Sequence, residues 1–413
     1  MDKENIEILF AAISGLEEEC VDLMKKLIAI NSVGPSSDGP GEQEKADFLR
    51  NYLSQIGFKH VSSYSAPDDR VMNGERPNLV AVLPGKNSEK TLWILSHTDI
   101  VPAGDLSKWE TDPFDPVVNN GKIFGRGSED NHQGIVSSVM MARAFIETGI
   151  QPAINIGLVF IADEETGNEY GLTYLIENHS DLFKKDDLII VPDAGEPDGS
   201  MIEVAEKSVL WVKFKTIGKQ VHASVPALGV NAFRAASNLV VKLEGLHNIY
   251  NLEDKIFAPS RSTFEPTKKE ANVPNINTIP GDDVFFLDCR ILPDYNIGEV
   301  LDTIRQMAND IENSFNVKIE ISTEQMEQAA PATEVTAPIV KLLETAVKQV
   351  YGVDAEPRGM GGGTVAAVFR RHDYPAAVWA TVDDLAHQPN EYCRISNMIN
   401  DAKVFTHCVQ NIS

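Results

Sequence analysis

The chain has 413 residues and carries 61 Asp and Glu against 36 Lys and Arg, a formal net charge of −25. Nucleic acid and anionic membranes are poor partners for such a chain, because long-range repulsion meets their phosphates before any local basic patch does. With 43% hydrophobic and 23% charged residues, wholesale disorder is excluded, and the length suggests about two to three domains.

The opening Met1-Asp2-Lys3-Glu4-Asn5 is acidic where a signal peptide needs basic charge, and no later stretch reaches the ~18 apolar residues of a membrane span. A soluble, unprocessed, cytoplasmic chain is expected. Four cysteines, Cys20, Cys289, Cys393 and Cys408, form no C-x-x-C pair, which agrees with reduced thiols and speaks against a disulfide framework or a thiolate zinc finger.

Helical spacing of Val21, Met24, Leu27 and Ile28 predicts a helix over 17–28, and Phe48, Leu49, Leu53 and Ile56 predict another over 46–56. Short apolar runs bounded by turn residues predict buried strands at 78–83 and 91–95. A helix at 134–148, a strand at 154–161, a helix at 169–178 and a strand at 187–191 complete an α/β layer system. From Ser208 the texture changes: Val209, Trp211, Lys213, Phe214 and Lys215 give a longer strand with partial alternation, as for a sheet with one solvated face. A helix (231–246), strand (283–289), helix (298–313) and strand (317–321) follow, with a long loop expected between Phe257 and Pro280. The pattern then returns to a helix (337–350), a Gly-rich turn, a strand (376–380) and a last helix (396–408). The expected fold is α/β: a discontinuous catalytic domain (1–206 and 322–413), with a mixed, mostly parallel sheet covered by helices, interrupted by a smaller α+β domain (207–321).

Chemistry gathers where strands end. Ser96-His97-Thr98-Asp99 follows the 91–95 strand, the position at which open α/β sheets build sites. His97 suits a metal ligand with Asp99 as the acceptor that orients it, although H-x-D alone is more often a polar loop. Gly125-Arg126-Gly127-Ser128-Glu129-Asp130 is a glycine turn delivering Asp130 ahead of a helix; alone, such an aspartate reads better as a cap. Ala162-Asp163-Glu164-Glu165 sets two adjacent glutamates at a strand end, unfavourable unless a cation holds them, and one can ligate while the other takes a proton from activated water. Asp193 repeats the geometry after the 187–191 strand. Together these sites are much harder to dismiss than singly. Histidine and carboxylates without cysteine fit catalytic zinc, cobalt or manganese rather than a structural zinc. His387, in Ala386-His387-Gln388-Pro389-Asn390-Glu391, is the candidate further imidazole, and His132 reads as a supporting or surface residue.

In combination these segments resemble the dinuclear zinc peptidases and deacylases that include succinyl-diaminopimelate desuccinylase, acetylornithine deacetylase, aminoacylase and glutamate carboxypeptidase. The resemblance covers nearly the whole chain. It implies two divalent ions, one taking His97 and Asp193, the other Glu165 and His387, with Asp130 bridging, Glu164 as general base and Asp99 orienting His97. It further implies that His222, in Gly218-Lys219-Gln220-Val221-His222, donates to the tetrahedral oxyanion, that the inserted domain is a lid through which a homodimer forms, and that Asn277, Arg290, Gly363 and Thr364 contact substrate. On residues alone His222 is equally a strand-end histidine, and Arg290 equally an ion-pair partner of Asp288 or Asp294. Two departures stand out: Val365, Ala366 and Ala367 follow Gly361-Gly362-Gly363-Thr364 in place of a polar or acidic pair, and Asn131-His132-Gln133 replaces a small-residue and lysine pattern. The expected activity is cleavage of an N-acyl amino acid of deacetylase or desuccinylase type. A dipeptidase or carboxypeptidase on the same site is the alternative, with an inactive metal-binding or interaction protein as the third reading.

Overall fold

The computed structural model describes residues 3–412; Met1 and Asp2 of the acidic opening, and Ser413, lie outside the described residues. In chain order the main elements are α1 (Lys3–Gly15), α2 (Glu17–Ala29), α3 (Gln43–Ile56), β1 (Val61–Ser63), β2 (Leu79–Leu83), β3 (Asn87–His97), α4 (Gln133–Thr148), β4 (Ile154–Ile161), α5 (Leu172–Asn178), β5 (Leu188–Gly195) and β6 (Met201–Glu206). There follow β7 (Ser208–Ile217), α6 (Ala232–Leu243), β8 (Thr263–Lys269), β9 (Asp282–Ile291), α7 (Ile297–Phe315), β10 (Lys318–Glu327), α8 (Pro338–Tyr351), β11 (Glu356–Met360), α9 (Ala366–Arg371), β12 (Ala376–Ala380) and α10 (Ile395–Gln410).

The chain divides into two units, the first comprising Met1–Val204, Thr333–Arg358 and Thr364–Ser413, the second Ala205–Ala332 and Gly359–Gly363. An eight-stranded mixed sheet runs β1-β2-β4-β3-β5-β12-β6-β11. Its centre, β4-β3-β5-β12, is parallel, and β1, β2 and β6 pair antiparallel outside it. Central parallel strands are buried on both faces, which is why β3 and β4 are near-continuous apolar runs from Leu92 and Ile156 onward. Trp93, Leu95, Val159, Ile161, Ile189, Val191 and Val378 pack with Leu172, Leu175 and Phe369 from α5 and α9. Gly157 is required there: a Cβ would sit 2.1 Å from the Trp93 ring, whose indole N–H donates to Asp187 at 2.8 Å. The register sets His97 beside Ile161, so the parallel strands release their polar motifs along one edge.

The second unit holds a four-stranded antiparallel sheet, β8-β9-β7-β10. Alternation is clear in β7, where Leu210, Val212 and Phe214 are buried and Trp211 is exposed. They form a core with α6 and α7 through Leu239, Leu243, Val300 and Ile304, with Phe214 stacked on Phe285. Asn296 caps α7 by accepting the Gly298 N–H at 2.8 Å.

Three expectations need correction. The long loop between Phe257 and Pro280 contains β8, an edge strand with only Phe264 fully buried, so it shows no alternation, and Pro266 sits at a register shift where a missing N–H is tolerated. The helix expected from residue 169 starts at Leu172, because Asn168 at φ +67° and the Gly167 turn precede it. Strand β5 continues through Asp193 to Gly195 rather than ending at Val191.

Candidate metal centre

His97 closes β3 and is fully buried. Its Nδ1 lies 3.0 Å from the Asp99 carbonyl oxygen and 3.5 Å from the Asp99 carboxylate. A proton on Nδ1 donated to that carbonyl leaves Nε2 as the free donor nitrogen. Nε2 stands 2.8 Å from Asp130 Oδ1 and 3.4 Å from Asp193 Oδ1. The Asp99 carboxylate has a second task, accepting the N–H groups of Glu164 at 3.1 Å and Glu165 at 3.0 Å.

The Glu164-Glu165 turn begins at Asp163, which adopts φ +65°. That left-handed conformation costs a non-glycine residue about 1–2 kcal/mol, and a local network offsets it. Asp163 accepts the Thr166 hydroxyl at 2.5 Å and the Tyr170 N–H at 3.1 Å, and lies 3.4 Å from the buried Arg76 guanidinium. Arg76 in turn is gripped by both oxygens of the buried Glu42.

Asp130 reaches the site from the turn after Gly127. Gly127 adopts φ +83°, and a Cβ there would meet the rings and methyls of His132 and Ile100 at 2.7 Å. His387, at φ +64° on the loop after β12, brings Nε2 to 3.1 Å from Glu165 Oε2 and 3.3 Å from Asp130 Oδ2. Asn131 donates to Asp193 at 2.5 Å and to the Pro192 carbonyl at 2.7 Å, holding that carboxylate in place.

Four carboxylates and two imidazoles thus share one small volume. Donor atoms of His97, Asp130 and Glu165 lie within 4.8 Å of one another, as do those of His97, Glu164 and Asp193. Burial drives the Glu164 carboxyl well above its usual range, with Asp193 adding to the rise. Burial likewise lifts Glu165 to about 7. Burial opposes charge on His97, yet its bonds to Asp130, Asp193 and Asp99 outweigh it and hold the imidazole well above its ordinary value. His387 is raised to about 10 by Asp130 and then Glu165. Protons therefore occupy positions that a divalent cation would take. Glu165 Oε1 is buried with no hydrogen-bond partner, an open acceptor of the kind that a bound cation satisfies. The residues fit divalent ions: His97, Asp130, Glu164, Glu165, Asp193 and His387 offer imidazole nitrogen and carboxylate oxygen without thiolate.

Residues 93–411 match the peptidase family M20/M25/M40. The chain belongs to this family. An uncharacterised metallohydrolase of Methanocaldococcus jannaschii is 44% identical over 404 residues, covering 94% of this chain and 98% of its own. Succinyl-diaminopimelate desuccinylase of Nitratiruptor is 25% identical over 387 residues, covering 90% of this chain and 94% of its own. The structure of a dipeptidase from Saccharomyces cerevisiae shares the fold, with TM-score 0.76 and 18% identity over 98% of both chains. As an M20 peptidase-family member, the chain is a metal-dependent hydrolase of peptide or amide bonds.

The remaining expected residues of this M20 chain fall mostly in the second unit. His222 pairs in a short strand with Thr278; it is exposed, its Nδ1 2.7 Å from the Ser224 hydroxyl and its Nε2 3.4 Å from the Asn277 amide. Arg290 is committed in part, with Nε and Nη2 donating to Asp288 at 2.8 and 3.1 Å and Nη1 donating to the Gly361 carbonyl at 2.9 Å. Gly363 belongs to that unit, and a Cβ there would come no nearer than 3.9 Å to Glu206. Thr364 lies in the first unit, its hydroxyl accepting the Ala366 N–H at 3.2 Å.

His132 is not on the surface. It is fully buried with Nε2 2.5 Å from the ammonium of Lys45, itself fully buried. Burial pulls Lys45 down to about 7, against the nearby charges of Asp99, Glu42 and Glu391. Glu42, Arg76, Lys45, Glu129 and Glu391 escaped the sequence reading as supports of the site. Only Glu129 and Glu391 carried a signal, lying inside the two motifs.

Proposed function

We propose that this M20 hydrolase cleaves the amide bond of an N-acyl amino acid. The observation that carries the reading is the convergence, at the ends of parallel strands, of a donor set for two cations around a half-buried carboxyl, Glu164. Two divalent ions, zinc by the donor types with cobalt or manganese as substitutes, would be held by His97 and Asp193 and by Glu165 and His387, with Asp130 between them. When bound, such ions activate a water and polarise the amide carbonyl.

The chain's own residues do the rest. Asp99 fixes the His97 tautomer through its carbonyl and fixes the turn of Glu164 and Glu165 through its carboxylate. Glu164 takes a proton from the attacking water and passes it to the departing amine, a role suited to a carboxyl whose pKa desolvation raises. His222, oriented by Ser224, donates to the tetrahedral oxyanion. Arg290, held in plane by Asp288, keeps N–H groups for a substrate carboxylate, and Asn277 and the Gly363-Thr364 backbone are the further substrate contacts of this reading.

The second unit acts as lid and dimerisation domain, and exposed Phe233 and Val241 on α6 support a homodimer. Four buried free cysteines agree with a cytoplasmic setting, and no described helix is long and apolar enough to cross a membrane. The relative named as a desuccinylase supports the deacylase branch. The dipeptidase branch uses the same side chains, and a panel of N-acetyl and N-succinyl amino acids against dipeptides separates the two. Preference for dipeptides would overturn the deacylase reading and leave the centre intact.

A further inference from the structure

Two glutamates of the metal-site motifs, Glu129 and Glu391, ligate backbone instead of facing the centre. Glu391 is completely buried. Its Oε2 accepts Arg126 Nη1 at 2.6 Å and the Gly127 N–H at 3.0 Å, and its Oε1 accepts the N–H groups of Glu129 at 2.9 Å and Asp130 at 3.1 Å. With two donors on each oxygen, the carboxylate is filled. Glu129, nearly buried, runs the other way: its Oε2 accepts the Asp383 N–H at 2.6 Å and its Oε1 the Leu385 N–H at 2.5 Å. The turn that carries Asp130 thus hangs from a carboxylate of the 383–391 loop. That loop hangs from a carboxylate of the turn.

The arrangement matters because His387 has little packing of its own. Its side chain is 57% exposed, and it lies two residues beyond the clamped Leu385. What holds it 3.3 Å from Asp130 is the loop backbone, and the loop backbone is tied to the residue next to Asp130 in sequence. A charged acceptor shared among several backbone N–H groups is a strong and directional tether. We propose that Glu129 and Glu391 are reciprocal positioning residues that set His387 against Asp130 and so control the affinity for the divalent ion that Glu165 and His387 would hold. The inference rests on the dinuclear reading.

Glu129→Gln and Glu391→Gln test it. Each substitution turns one accepting oxygen into an NH₂ that faces N–H donors, while volume is kept. In metal-free protein, hydrogen exchange at Asp383 and Leu385 accelerates in Glu129→Gln. In titration with Zn²⁺ or Co²⁺, the binding step that His387→Ala also weakens loses about 10–100-fold in affinity, the range for residues that orient a ligand, and the other step changes much less. In a His387→Ala background, Glu129→Gln changes metal affinity no further, because the clamp acts through His387; a purely structural role would add its loss there as well. If Glu391→Gln does not fold, Glu129→Gln, which disturbs fewer bonds, carries the test. Affinities like wild type for both ions, or a full additive loss in the His387→Ala background, overturn the clamp. Wild-type protein that takes up fewer than two ions contradicts the dinuclear reading itself, and the clamp with it.

Discussion

Loading the centre with metal must release protons, and the structure sets how many. Metal-free His387, raised to about 10, is imidazolium at pH 8, and His97 is also held well above its ordinary value by its bonds to Asp130, Asp193 and Asp99. An imidazolium cannot ligate until it loses its proton. Occupation of the ion sites at pH 8 therefore expels about one proton from His387, and the raised His97 adds to that release. Glu165, raised to about 7, is about one-tenth protonated at pH 8 and about nine-tenths at pH 6, so on its account the release at pH 6 exceeds that at pH 8 by about 0.8 proton. The sign follows: groups whose pKa is raised in the metal-free state oppose binding below that pKa, and affinity climbs with pH. Each proton released steepens the climb by about tenfold per pH unit, and the His387 share disappears above about pH 10. Calorimetric titration with Co²⁺ at pH 6 and pH 8, in pairs of buffers with different ionisation enthalpies, counts the protons. Release of less than about half a proton, with affinity flat across that window, would refute the assignment of these imidazoles as ligands.

Other substitutions separate the roles. Glu164→Ala abolishes turnover while elemental analysis still finds two ions, and loss of both ions would make Glu164 a ligand instead. His222→Ala lowers kcat by about 10²–10³-fold, the scale of one oxyanion donor, and an unchanged kcat removes it from the mechanism. Gly157→Ala forces a Cβ to 2.1 Å from Trp93 and costs about 1–3 kcal/mol or more as overpacking; an unshifted urea midpoint contradicts the packing argument.

What could be read from the sequence divides along physical lines. Strands β3 and β4 are legible because central parallel strands are apolar on both faces and end abruptly at His97 and Ala162-Asp163, so fold and motif announce each other. Helix α1 went unassigned, although Ile6, Leu9 and Ile13 bury one face of it. Strand β8 was hidden because an edge strand with six of its seven residues not fully buried has the composition of a loop. In the site, His97, Asp130, Glu164, Glu165, Asp193 and His387 stand in motifs whose chemistry is local. Their supports do not. Glu391 meets Gly127 across 264 positions and Glu129 meets Asp383 across 254, and no local pattern distinguishes such an acid from a solvated one. Lys45 shows the same limit: a lysine in the first turn of an amphipathic helix reads as surface, yet it is buried against His132.

The central claim is that a two-ion centre held by His97, Asp130, Glu165, Asp193 and His387, with Glu164 as its base, hydrolyses the amide of an N-acyl amino acid. Elemental analysis of the purified chain, run beside hydrolysis of N-acetyl and N-succinyl amino acids with and without added zinc, cobalt or manganese, tests it most directly. Two divalent ions per chain and hydrolysis that vanishes on chelation and returns with metal are the predicted result; no bound ion and no metal-dependent cleavage would contradict it.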